Sequence, residues 1–192
     1  MKVSNDEVGF LKDDKLRATE LVFDGKIIQV YKNQLEIEAG LVVERELIHH
    51  QPAAAVLAIT NEAKVILVKQ YRPAVAQAIF EIPAGLLDRM DQNFEEALVG
   101  AKRELEEETG YRANKWQALQ TFYLSPGYLN EEITLFIATD LYLAPNPLAQ
   151  DEDERIEIFY FSKDEIKNLL MKGKIVDLKT LFALQYWVNR ED

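Results

Sequence analysis

Between Gly85 and Tyr111 the chain reads GLLDRMDQNFEEALVGAKRELEEETGY. Its second half sets Arg103, Glu104, Glu107 and Glu108 on about two turns of a helix that stops at Gly110. At roughly 100° per residue, Glu107 lies about −60° and Glu108 about +40° from Glu104, so three carboxylates share one face. Glu106, about 200° away, points elsewhere. Carboxylates crowded into an arc of ~100° repel one another unless a cation sits among them. A hard divalent ion that prefers oxygen ligands is the natural candidate. An isolated E-x-x-E-E is more often a solvated acidic face, so the surrounding chain has to decide.

Composition narrows the classes. A chain of 192 residues can hold one well-buried domain with a small extra lobe. A hydrophobic fraction of 48% and a charged fraction of 29% are ordinary for a soluble globular protein. The 33 acidic residues against 22 basic ones leave a net charge of −11, which argues against a nucleic-acid partner. A small phosphorylated substrate stays possible, because bound metal ions reverse the local field. Without cysteine there is neither disulfide nor thiolate chemistry. No apolar run approaches the ~18 to 20 residues of a membrane span, and Met1-Lys2-Val3 opens no signal-peptide pattern. No membrane partner and a cytoplasmic location are expected.

Residues 1–15 are polar and read as loosely held. Strands are expected over 18–23, 26–35 and 41–49, with Asp24-Gly25 as a hairpin turn. The doublet Ile27-Ile28 within an otherwise alternating run predicts a twist or bulge in the second strand. Some forty residues of hairpin bury little alone, so this lobe must pack on the main domain or on a second subunit. Gln51-Pro52 marks a boundary between a lobe over 1–50 and a domain over 51–192. Residues 53–60 and 64–71 read as central strands, 79–82 as a short one stopped by Pro83-Ala84-Gly85. The helix begins either at Asn93, with Glu96 completing a capping box, or nearer Ala97. Its stripe of Leu98, Ala101 and Leu105 packs, while the carboxylates face away. Further strands are expected over 116–124, 132–139 and 155–161. Helices follow, capped by Ser162 with Glu165 and by Asp177, the last with Leu181, Leu184, Gln185 and Val188 at helical spacing. The alternation of strands and helices predicts an α/β fold with a mixed sheet and helices on both faces.

Residues 85–111 resemble the signature of the Nudix hydrolases, G-x5-E-x7-R-E-U-x-E-E-x-G-U, where U is apolar. From Glu95 to Tyr111 every position fits. The departure is the first spacer, in which nine residues replace five between Gly85 and Glu95, read as an extended exposed loop. So many fixed positions make a specific motif. The resemblance implies a Nudix-type α/β/α sandwich and hydrolysis of a nucleoside diphosphate linked to another group. It also implies Mg²⁺, two or three ions with Mn²⁺ as an alternative, held by Glu104, Glu107, Glu108 and the carbonyl of Ala84. Arg103 would orient these carboxylates and Glu95 would support them. The chemistry is coherent, because a pyrophosphate resists attack by water until cations screen its charge.

Outside the signature the likeness narrows to the ADP-ribose pyrophosphatase branch. Residues 67–72 (LVKQYR), 81–85 (EIPAG) and 123–127 (YLSPG) carry it, with Pro126 sixteen residues beyond Gly110. A Ser-Pro-Gly run by itself is an ordinary turn, and its place relative to the signature is what gives it meaning. By this resemblance Arg72 binds phosphate, Glu131 binds the distal ribose, and Pro126 with Gly127 belongs to the specificity group. In this branch an acid on the loop before the last strand is the general base. Glu152 in the run Asp151-Glu152-Asp153-Glu154 is the first candidate and Glu154 the second. The implied reaction splits ADP-ribose into AMP and ribose 5-phosphate. The alternatives are another nucleoside diphosphate sugar such as GDP-mannose or ADP-glucose, or a non-catalytic nucleotide sensor. The likeness also implies a homodimer built on the N-terminal strands. His49-His50, on opposite sides of a strand, reads as structural, and Trp116, Phe182 and Trp187 as core.

Overall fold

The computed structural model describes residues 8–90, 93–149 and 155–190. Two compact units emerge, one of residues up to Gln51 with Tyr123–Glu132, the other of Pro52–Phe122 with the residues from Ile133 onward. In the first unit, Leu16–Asp24 (β1), Ile28–Glu38 (β2) and Leu41–His50 (β3) form an antiparallel ribbon. The Asp24-Gly25 turn is present, and the Gly25 N–H donates to the Ile28 carbonyl at 3.0 Å. The ribbon is bulged, but the extra residues are Arg17 and Val22 in β1 and Ile37 near the end of β2. Ile27 belongs to the turn, so the Ile27-Ile28 doublet is not the irregularity. Nor is the start loose as far as residue 15. Val8 is fully buried, Gly9–Lys12 forms a 3₁₀ turn, and Phe10 packs edge-on against Tyr31 at 5.4 Å.

The Ser125–Glu131 loop is tied to β3 by its backbone and by one side chain. Ile48 donates to the Tyr128 carbonyl (2.7 Å) and accepts from the Asn130 N–H (3.1 Å). The Asn130 side-chain oxygen accepts the His50 N–H at 2.9 Å, and its nitrogen lies 3.0 Å from His49 Nδ1. The two rings make separate contacts, His49 Nδ1 with Asn130 and His50 Nδ1 with the Gln51 carbonyl at 2.8 Å.

The second unit contains Ala53–Ala58 (β4), Val65–Arg72 (β5), Gln77–Glu81 (β6), Ala84–Leu86 (β7), Arg89–Met90 (β8) and Asn93–Phe94 (β9). Then come Ala97–Thr109 (α1), Tyr111–Tyr123 (β10), Glu132–Leu143 (β11), Glu157–Phe161 (β12), Lys163–Met171 (α2) and Leu178–Asn189 (α3). A mixed sheet runs β10-β11-β4-β7, with β11 parallel and β7 antiparallel to β4. A second, antiparallel sheet runs β12-β5-β6. Thus β4 and β5, which read alike in sequence, lie in different sheets, bridged by Ile59 and Val65.

Every residue of β4 is buried, and two helices pack on it: α1 on β4 and β7, α3 on β4 and β6, with α2 on α3. Ala54, Val56 and Ala58 meet Ala101 and Leu105 of α1 in one apolar cluster. The small side chains of β4 let the helix approach closely, and burying Leu105 alone contributes about 1.5–3 kcal/mol. No helix among the described residues is long and apolar enough to cross a membrane.

Helix α1 starts at Ala97; Asn93 is paired with Met90 in the β8–β9 hairpin and so cannot cap it. The helix ends on Gly110, whose φ of 72° is the left-handed conformation glycine adopts without strain. Ser162 and Glu165 form the expected capping box, and Asp177 caps α3 by accepting the Thr180 N–H at 3.0 Å. The buried face of α3 is Thr180, Ala183, Leu184 and Trp187, not the stripe ending in Gln185 and Val188. Phe182 is 41% exposed and is no core residue, although it packs edge-on against Phe122 at 5.6 Å.

Candidate active site

The short strand β7 places the backbone of Ala84, Gly85 and Leu86 directly beneath the acidic face of α1. Glu108 is 2% exposed, and its Oε2 accepts the Ala84 N–H at 3.1 Å. The Glu104 and Glu108 carboxylates therefore face the backbone of β7, not solvent as the amphipathic reading expects. Gly85 explains how they fit, because a Cβ there would overlap the Glu104 carboxylate. Glu106 does point elsewhere: it is buried and gripped by Arg112 at 2.6 and 2.8 Å.

Arg103 holds the cluster together. One terminal nitrogen donates to Glu104 Oε1 (2.7 Å) and Glu107 Oε2 (2.9 Å), the other to Glu95 Oε1 (2.8 Å) and the Leu86 carbonyl (2.9 Å). Its Nε lies 3.3 Å from an Asp88 oxygen. Burial pulls the guanidinium pKa down. The Glu95 hydrogen bond and the charge and hydrogen bond of Glu104 outweigh it, holding the group far above its ordinary value. Glu95 also accepts the Asp88 N–H at 2.8 Å, and the Glu95 N–H donates to the Asp88 carbonyl at 2.9 Å. This reciprocal pair closes the base of the β8–β9 hairpin, so the extended spacer expected as an exposed loop is a built hairpin.

One guanidinium among four glutamates leaves a large negative excess, and every donor in the cluster is a hard oxygen. That donor set suits Mg²⁺ or Mn²⁺. Among the described residues, no three His, Asp or Glu side chains are arranged as a metal cage, since Arg103 lies between Glu95, Glu104 and Glu107.

Arg72, at the end of β5, belongs to the same unit. Its guanidinium is held along one edge by Glu81 of the adjacent β6, Nε at 2.7 Å and a terminal nitrogen at 3.2 Å. Burial lowers its pKa, but the hydrogen bond and charge of Glu81, with the charges of Glu108 and Asp177, raise it overall. Of the α1 carboxylates, the Glu108 charge thus reaches Arg72. Glu81 has a second cationic partner that nothing in the sequence singles out: Lys179 Nζ lies 2.7 Å from Glu81 Oε1. A lysine in the first turn of a helix ordinarily reads as solvated, and only the fold reveals this one as buried.

Pro126, Gly127 and Glu131 lie in the first unit. The first two form a turn in which the Tyr128 and Leu129 N–H groups donate to the Ser125 carbonyl, at 3.1 and 2.9 Å. Glu131 lies 3.9 Å from His50 Nδ1. Glu152 and Glu154 fall outside the described residues.

A family model described as NUDIX domain matches residues 49–183. The chain belongs to the Nudix family. It is a Nudix hydrolase with relatives over nearly its whole length. An ADP-ribose pyrophosphatase of Bacillus subtilis (strain 168) is 39% identical over 179 residues, covering 93% of this chain and 95% of that one. A protein of Bacillus methanolicus named methanol dehydrogenase activator is 38% identical over 179 residues, with the same coverage of both chains. The solved structure called ADP compounds hydrolase superposes with a TM-score of 0.77 at 23% identity, over 90% of this chain and 92% of that one, and shares the Nudix fold.

Proposed function

We propose that this Nudix hydrolase splits the pyrophosphate of ADP-ribose into AMP and ribose 5-phosphate, in the cytoplasm and with Mg²⁺. The observation that carries the reading is the packing of the α1 carboxylates on β7, locked by Glu108 on the Ala84 N–H and permitted by Gly85. Similarity to the Bacillus subtilis pyrophosphatase supports the substrate. Glu104, Glu107, Glu108 and the Ala84 carbonyl would hold two or three divalent ions. When bound, these screen the pyrophosphate charge and polarise its P–O bonds.

The chain's own residues supply the rest. Arg103 spaces the carboxylates by pairing with Glu104, Glu107 and Glu95, and so keeps them from splaying apart. Arg72 binds a phosphate, its guanidinium aimed by Glu81. Glu152, with Glu154 as the second choice, takes the proton of the attacking water. Glu131 contacts the ribose, and Pro126-Gly127 shapes the specificity turn; these two assignments rest on sequence position. Attack by water at phosphorus breaks one P–O bond and leaves a phosphate on each product.

The test is purified protein with Mg²⁺ against ADP-ribose, GDP-mannose and ADP-glucose, with Glu108→Gln as the control. AMP from ADP-ribose in the wild type and little from the variant is the expected result. Folded protein yielding no phosphate-containing product from any of the three would overturn the reading. The relative named as a dehydrogenase activator favours a second reading, action on a partner enzyme. Activation of such a dehydrogenase by the Glu108→Gln variant as well as by the wild type would support it over hydrolysis.

A further inference from the structure

Glu81 carries its charge at 3% exposure and shares it between two cations. Oε2 takes the Arg72 Nε at 2.7 Å; Oε1 takes the second Arg72 nitrogen at 3.2 Å and Lys179 Nζ at 2.7 Å. Lys179 is itself 7% exposed, so solvent screens this contact weakly. Its other carboxylate, Asp177 at 3.1 Å, is already engaged, accepting the Thr180 N–H at 3.0 Å and the Thr180 hydroxyl at 2.6 Å.

Docking α3 does not explain the lysine. The helix is seated on β6 by Thr180, whose fully buried Oγ1 accepts the Ile82 N–H at 2.8 Å, and by the apolar face of Ala183, Leu184 and Trp187. Burying an ammonium is costly, and an apolar side chain would seat the helix at least as well. What the lysine changes is the electrostatics of Arg72. A buried carboxylate with a single guanidinium neutralises it and holds it inward. A second cation on the same oxygen divides that charge and leaves the guanidinium, 39% exposed along its side chain, cationic on its outer side.

We propose that Lys179 is a positioning residue for substrate: through Glu81, its ammonium keeps the Arg72 guanidinium aimed and cationic toward a phosphate of the nucleoside diphosphate. The role rests on the phosphate-binding assignment of Arg72. Lys179 is buried against Glu81 and Asp177, so its loss should act through Arg72 on binding and not on the chemical step.

The experiment compares wild type, Lys179→Met, Lys179→Arg, Arg72→Ala and the Arg72→Ala/Lys179→Met double variant by steady-state hydrolysis of ADP-ribose with Mg²⁺, alongside thermal unfolding. Lys179→Met should raise KM about tenfold with kcat within about threefold, and Lys179→Arg should return KM to within about threefold of wild type. In the Arg72→Ala background the methionine should add almost nothing, because the group it acts through is gone. Should Lys179→Met fail to fold, Lys179→Gln keeps a hydrogen-bond donor without the charge and carries the same expectation. Unchanged KM in a folded neutral variant overturns the proposal, as does an undiminished effect when Arg72 is absent. Wild-type protein inert toward ADP-ribose overturns the functional reading and this inference with it, whereas an active wild type with insensitive variants overturns the inference alone.

Discussion

Gly85 and Glu108 show how much of the site depends on single atoms. A Cβ at residue 85 would land on the Glu104 carboxylate, and Glu104 is one of the four acids that Arg103 pairs with. Gly85→Ala should therefore displace Glu104 and its Arg103 contact, and a displacement of about 1 Å costs on the order of 10²-fold in kcat. The thermal midpoint, by contrast, should move little, since Glu104 can swing aside. Steady-state kinetics beside a melting curve checks this, and a fully active Gly85→Ala protein would remove the close approach from the argument. Glu152 makes a different kind of prediction, because its role rests on the resemblance. Glu152→Gln should lower kcat by about 10²–10⁴ with KM nearly unchanged. If Glu154→Gln has that effect and Glu152→Gln does not, the base is the second candidate.

At the level of elements, the corner between α1 and β10 joins local and long-range contacts. Gly110 turns the chain, the Ala144 N–H donates to the Gly110 carbonyl at 3.0 Å, and Glu106 accepts from Arg112 and from the Leu148 N–H at 3.2 Å. The Arg112 hydrogen bonds hold the Glu106 carboxyl below its ordinary 4.5. Burial opposes them, while the Arg112 charge and the Leu148 N–H assist. A carboxyl depressed on folding stabilises above its unfolded pKa, and that contribution is lost as the pH falls through the folded value. Glu106→Gln should thus be less stable than wild type at neutral pH and lose less on acidification to about pH 3. Urea midpoints at the two pH values measure it. Equal losses in both proteins would show that the corner does not respond to the charge of Glu106.

The molecule as a whole leaves apolar surface on the ribbon of the first unit. Leu21, Val22, Phe23, Ile27, Leu41 and Val42 are each more than 40% exposed in the single chain. The homodimer that the resemblance implies would give these side chains a cover, and a second copy of the chain is the partner we propose for them. Sedimentation should show a dimer, and Phe23→Glu should shift it toward monomer without altering the far-ultraviolet circular dichroism. A wild-type monomer with full activity would discard the dimer.

The sequence by itself was enough for several features that depend on spacing along one element. The shared face of Glu104, Glu107 and Glu108, the divergence of Glu106, the stop at Gly110 and the caps at Ser162 and Asp177 are set within a few residues, so the chain states them directly. Tertiary structure alone decided where those faces turn. The acidic face lies against β7 because Glu108 reaches an amide 24 residues earlier and Gly85 leaves room for Glu104. Of the two helix starts that the sequence leaves open, pairing with Met90 makes Asn93 a strand residue and leaves Ala97. Lys179, which nothing local singles out, is buried against a carboxylate 98 residues away in the chain. Local pattern reports periodicity and turn chemistry. It carries no information about which distant group will meet a given face, because that is fixed by how the sheets and helices pack.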